Sequence, residues 1–94
     1  MMKMLELTRK RNELEMTADI LRVAAGGVCI SHLVYQTNTN FKVIEKYLES
    51  LKRCNLINKT TKKVYKTTEK GLKYLDHFED VQKYLKSELI QNNF

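Results

Sequence analysis

The chain has no proline and no tryptophan, and its only glycines are Gly26, Gly27 and Gly71. With so few breakers, long helices should dominate, and turns must be made by Asn, Thr and Lys. No stretch approaches the roughly 18–20 consecutive apolar residues of a membrane span. The opening MMKMLELTRKRNELE is too short and too interrupted in its apolar part for a secretory signal, so the expected compartment is the cytoplasm. Cysteine is scarce as well. Cys29 and Cys54 do not make a framework of the secreted type. They read first as small hydrophobic side chains, with a disulfide as the alternative. Cys29-x-x-His32 has ligand spacing, but Cys54 and His77 are isolated, so no metal site is expected.

Catalytic signatures are missing too. Neither His32 nor His77 has a carboxylate and a nucleophile at useful spacing, and no glycine-rich phosphate loop is present. An enzyme is therefore not expected, nor is any cofactor or small-molecule ligand.

What remains is one small domain of 94 residues, 43% hydrophobic and 30% charged, a balance that favours a folded chain over a disordered one. Its net charge of +6 is unevenly placed. Residues 39–67 carry eight Lys/Arg against Glu45 and Glu49, which accounts for the full excess. The other segments cancel: +3 for 1–12, −2 for 13–38 and −1 for 68–94. A basic field concentrated on one segment attracts a polyanion, and nucleic acid is the commonest one.

Apolar spacing predicts a first helix from about Arg9 to Ala25, with Leu14, Ala18, Leu21 and Ala25 on one stripe. Gly26-Gly27 should stop it. Val28-Cys29-Ile30 is a short β-prone piece, and Ser31 is placed to cap a second helix ending near Asn38. Phe41, Ile44, Leu48 and Leu51 are spaced as the core stripe of a third helix, from Phe41 to about Cys54. Asn55 tolerates the left-handed conformation that ends it. Residues 56–60 and 64–67 read as the arms of a hairpin with Thr61-Lys62-Lys63 at its tip. Thr68 should then cap a last helix running to about Ile90, roughly 35 Å long.

That helix outruns a small domain. Leu75, Phe78, Val81, Leu85 and Leu89 recur at three- and four-residue steps, with Tyr74 and Tyr84 beside them. Its far half needs a second apolar surface, supplied either by its own core if the helix folds back or by the same helix of a second copy. The expectation is a homodimer through a short coiled coil.

A short helix, a turn, an amphipathic helix and then a hairpin is the order of a winged helix-turn-helix. The run Tyr47-Leu48-x-x-Leu51-x-x-x-Asn55-Leu56-Ile57, followed by Tyr65-Lys66-x-Thr68-Glu69-Lys70-Gly71, resembles the signature of archaeal winged helix-turn-helix DNA-binding proteins. That family reads roughly Tyr-Leu-x-x-Leu-x-x-x-Gly-Leu-Ile, then Tyr-x-x-Thr-x-x-Gly after the wing. Arg11-x-x-Leu14-x-x-x-Ala18-x-Ile20-Leu21 and the Gly-Gly break also match. The likeness spans about residues 9–80 and departs mildly at Asn55. It is nearest to small dimeric nucleoid-associated and regulator-like proteins with a long pairing C-terminal helix. It implies a mainly α fold with a small β-hairpin, a DNA-binding domain over 1–67, and a dimerisation helix over 68–94 continuous with it.

On that reading a recognition helix, 40–54, enters the major groove of double-stranded DNA. Thr39, Asn40, Lys42, Val43, Lys46, Tyr47, Ser50 and Arg53 are its candidate contacts, with Tyr47 placed either on the DNA or under the helix. A wing, 59–66, would bring Lys59, Lys62, Lys63 and Lys66 to the backbone or minor groove, and Arg9, Lys10 and Arg11 would add phosphate contacts. The expected role is a sequence-specific, homodimeric transcription regulator. Its rivals are a sequence-blind architectural protein and a winged helix used for protein–protein contact.

Overall fold

A computed structural model describes residues 12–60 and 62–92, with the side chains of residues 85–92 left out of the description. In chain order the elements are α1 (Glu13–Val23), a 3₁₀ turn (Ala24–Gly26), α2 (Ile30–Thr37) and α3 (Phe41–Arg53). After them come β1 (Ile57–Lys59), β2 (Tyr65–Thr67) and α4 (Glu69–Asn92).

The first helix starts later than the spacing predicts. Asn12 is extended, and a reciprocal cap closes around it: the Glu15 amide donates to Asn12 Oδ1 at 2.8 Å, and the Asn12 amide to Glu15 Oε1 at 3.3 Å. That pair satisfies two orphan donors and fixes the start after Asn12. The expected stripe is corrected as well. Leu14 is 61% exposed and Ala25 is exposed, while Met16, Ala18, Ile20 and Leu21 are buried. Gly27 then takes φ +92, a conformation a side chain would strain.

Val28 forms a single bridge with Tyr65, its amide donating to the Tyr65 carbonyl at 2.9 Å and its carbonyl accepting the return bond at 2.7 Å. Helix α2 begins at once, at Ile30, with Cys29 rather than Ser31 in the cap position and no side-chain cap bond. Asn38, at φ 56, closes α2 in the left-handed conformation, and Asn55, at φ 62, does the same after α3. The hairpin pairs Ile57 with Thr67, Asn58 with Lys66 and Lys59 with Tyr65. Its inner positions Ile57, Tyr65 and Thr67 are buried, Lys59 lies on the same face but is exposed, and Asn58 and Lys66 face outward. Lys63 adopts φ 61 at the turn, and its amide donates to the Thr60 carbonyl at 3.1 Å.

One core joins these pieces. Ile20 and Leu21 of α1, Leu33 of α2, Ile44 of α3 and Ile57 of β1 are fully buried, with Leu48, Leu51, Tyr65 and Leu75 around them. The buried hydroxyls have partners: Thr37 donates to the Leu33 carbonyl and Thr67 to the Leu21 carbonyl, each at 2.7 Å. No buried side-chain polar atom among the described residues is left without one.

The junction between α3, the hairpin and α4 is a close contact. Thr68 accepts from the Gly71 amide at 3.0 Å, capping α4, and donates to the Asn55 carbonyl at 2.7 Å. Lys70 Nζ reaches the Cys54 carbonyl at 3.0 Å, satisfying the end of α3. Gly71 lies so close that a Cβ would run into the Leu56 carbonyl oxygen and come within 2.5 Å of Thr67 Cγ2. Gly71→Ala therefore tests two opposed effects. Alanine gains about 1 kcal/mol of helix propensity, but the clash is with backbone that cannot step aside and costs about 1–3 kcal/mol or more. The expected outcome is net destabilisation, read as a lower urea midpoint.

Candidate nucleic-acid interface

Helix α3 has 13 residues, so each position falls about 100° round its axis from the last. Its buried residues Ile44, Leu48 and Leu51 occupy one side. Directly opposite, within roughly 30° of the outer pole, stand Lys42, Lys46 and Arg53, all exposed. Ser50 and Glu49 flank that pole on either side, each about 50° away. Long cationic side chains hold this position because the core stripe behind them fixes the helix rotation.

The remaining predicted contacts are placed less uniformly. Asn40 is the N-cap of α3: its Oδ1 accepts from the Val43 amide at 2.9 Å, which leaves its amide group to face outward. Thr39 is half-buried, and its hydroxyl lies 2.9 Å from that of Thr37, so it braces the turn between α2 and α3. Val43 is half-buried. Tyr47 is half-buried and packs against the core. Phe41, expected in the core stripe, is instead 51% exposed, because at the first turn that stripe runs past its cover.

The wing stands beside one flank of α3. Glu45, Leu48, Glu49 and Lys52 of α3 and Tyr65 of β2 line a shallow depression of about 260 Å³. Lys59 Nζ sits 5.7 Å from the Tyr65 ring centre, bringing the first wing cation to the edge of that depression. Lys62, Lys63 and Lys66 are exposed further along the hairpin. Arg9, Lys10 and Arg11 lie outside the described residues.

Sequence reasoning passed over Glu49 and Phe41. The position of Glu49 was available from helical phase alone; that of Phe41 was not, since phase assigns it to the core. Elsewhere, the Ser31 hydroxyl, 3.2 Å from Cys29 Sγ, and then the His32 backbone hold the exposed Cys29 thiol below its ordinary pKa. Cys29 and Cys54 are both free. Among the described residues no three His, Cys, Asp or Glu side chains are gathered to hold a metal, and no helix is long and apolar enough to cross a membrane.

The dimer-face candidates divide. Leu75 is buried in the protomer's own core and is not free to meet a second chain. Phe78 is half-buried, stacked on Tyr74 with ring centres 6.1 Å apart. Val81 is 57% exposed, and Leu85 and Leu89 lie where side chains are outside the description. Tyr74 donates to the Leu14 carbonyl at 2.8 Å and Arg22 pairs with Glu79 at 3.6 Å, so the first three turns of α4 are fastened to α1. Partial burial pushes the Tyr74 phenol above its ordinary pKa.

The chain, with a helix, a bridge at Val28, two further helices, a two-stranded hairpin and a last helix in that order, matches a family model described as winged helix-turn-helix across residues 10–86. The chain belongs to that family. Among solved structures, this winged helix is similar to Sso10a-2, a DNA-binding protein from Sulfolobus solfataricus. The TM-score is 0.78 and the identity 27%, over 88% of this chain and 90% of that one. It also superposes on a mutant form of MepR from S. aureus with a TM-score of 0.72, covering 96% of this chain and 71% of that one. At 18% identity the second likeness shows the fold alone. No curated protein sequence matches significantly.

Capping and recognition can be separated at Asn40. Asn40→Ala should lower stability by about 1 kcal/mol, whereas Asn40→Asp keeps the cap and should leave it within a few tenths. Thermal unfolding of the two variants checks this.

Proposed function

We propose that this winged helix binds double-stranded DNA as a sequence-specific homodimer, with α3 in the major groove and the hairpin on the adjacent backbone or minor groove. The observation that carries the reading is the outer pole of α3, where Lys42, Lys46 and Arg53 stand directly opposite the core stripe. A solvent-facing helix carries charges of either sign opposite its core. A pole of three cations with no carboxylate within about 30° suits a groove, because the groove walls are phosphate. The wing cations continue the same field past the Tyr65 depression. Similarity to Sso10a-2, a DNA-binding protein, supports the same partner.

Dimerisation rests on α4. Beyond Phe78 the described apolar positions of α4 are open: Val81 and Tyr84 are exposed, at 57% and 71%. Leu14, Tyr74, Phe78 and Val81 line an open groove where α1 meets α4. A second copy of α4 laid along this side would bury those residues and set two recognition helices about 34 Å apart, one turn of duplex. Residues 68–94 thus serve the domain with their first turns and assembly with their last. Regulation of transcription in the cytoplasm is the role this geometry serves best.

If six to eight phosphates are neutralised per dimer, log K against log salt should slope about −5 to −7. Lys42→Glu with Lys46→Glu should abolish duplex binding while thermal unfolding and dimer mass stay unchanged. Binding insensitive to salt, or surviving that charge reversal, would refute the interface. A sequence-blind architectural protein would instead hold random and selected duplexes within a few-fold of one another. Assembly has its own check: Val81→Asp with Leu85→Asp should convert the dimer to monomer in sedimentation equilibrium without unfolding residues 12–80.

A further inference from the structure

Beside the basic pole of α3 stands one residue of the opposite sign. Glu49 lies on the outward side of the helix, about 50° from the axis of the pole, and is exposed. It stands three residues from Lys46 and four from Arg53, the spacings at which helical ion pairs form. It forms neither pair: among the described residues the ion pairs are Arg22 with Asp19 and Arg22 with Glu79. Its carboxylate therefore has no ionic partner among the described residues, on the surface that, in the reading above, meets the duplex.

Such a group is a poor choice if α3 only tracks phosphates. Each phosphate repels it, and a Ser or Gln at the same place would bind the backbone more tightly. In the floor of the major groove the balance differs. Guanine presents two acceptors there and thymine one acceptor with a methyl, and a carboxylate is repelled by both acceptor patterns. Adenine sets its N6–H₂ donor beside the N7 acceptor, which repels a carboxylate, whereas cytosine presents only an amino donor, N4–H₂, which a carboxylate accepts. We propose that Glu49 is the specificity-determining residue of α3, reading a cytosine amino group from within a ring of phosphate-binding cations. This inference rests on the DNA-binding reading and extends it to a base.

Glu45 supplies the internal control. It carries the same charge on the same helix and lines the same depression, but it stands about 90° from the pole, toward the wing. Neutralising either residue changes the overall field by one unit, yet only Glu49 is placed to touch a base edge.

The test uses the full chain and a random duplex pool. The wild type should select a site with one fixed C·G pair within the span covered by α3. Glu49→Gln should bind random duplex several-fold more tightly, lose about tenfold or more of its preference for the selected site, and shift the fixed position toward adenine, whose edge an amide matches. Glu45→Gln should tighten random binding by a similar factor and keep the preference. If both variants tighten selected and random duplexes by one common factor, Glu49 sets only field strength and the inference falls. A wild type that binds every duplex alike also overturns it while leaving DNA binding intact. A wild type that retains no duplex at all overturns the DNA-binding reading, and this inference with it.

Discussion

The close approach of α4 to the loop after α3 is the constraint on which the rest of the molecule depends. Gly71 has no side chain because the Leu56 carbonyl occupies the space a Cβ would need. That contact lets Thr68 bond to Asn55 and Lys70 to Cys54, so the start of the last helix is tied to the end of α3. The Thr68 amide donates to the Leu56 carbonyl at 3.0 Å, which closes the base of the hairpin into the same knot. Helix, wing and long C-terminal helix therefore hold one mutual orientation. The Arg22–Glu79 pair and the Tyr74–Leu14 bond brace the other end of that orientation against α1.

The electrostatic design is collective. A single exposed lysine contributes little to stability and is screened within about 10 Å at ordinary salt. Along the pole of α3, Lys42, Lys46 and Arg53 add to the same local potential, and the wing places others across a shallow depression. None is needed to hold the fold, since the core of Ile20, Leu21, Leu33, Ile44 and Ile57 is closed without them. The surface is thus free to serve a ligand of opposite charge. The same independence makes a Glu49 without an ion pair on that surface informative, because nothing in the fold requires it there.

Much of the architecture was legible in the chain because it follows local rules. The hairpin, the left-handed Asn55 and the Thr68 cap all sit where side-chain chemistry dictates backbone shape. The expectations that failed lie at element ends. Leu14 and Phe41 have the phase of core residues but fall in first turns, where the described elements leave them more than half exposed. Ser31 looked like the better cap, yet the bridge from Val28 to Tyr65 draws the chain in earlier and leaves Cys29 at that position. Helical periodicity cannot report such things, since it says which side is apolar and nothing about how far the cover extends. The interface shows the same division: the cations were countable from the sequence, while the bracing of Thr39 on Thr37 and the packing of Tyr47 came from the fold.

By itself, the sequence determined which residues form the basic helix and hairpin, that glycines and left-handed asparagines set the breaks, and that the last helix outruns its domain. Those properties depend on spacing and side-chain chemistry within a few residues. Tertiary structure decided where α4 leaves the core, giving Leu75 to the protomer and Val81 to solvent, and which side of α3 the wing guards. Both are questions of which distant segments share a space, and the physical reason is the Gly71–Leu56 contact, a packing relation between residues 15 positions apart that no local pattern encodes.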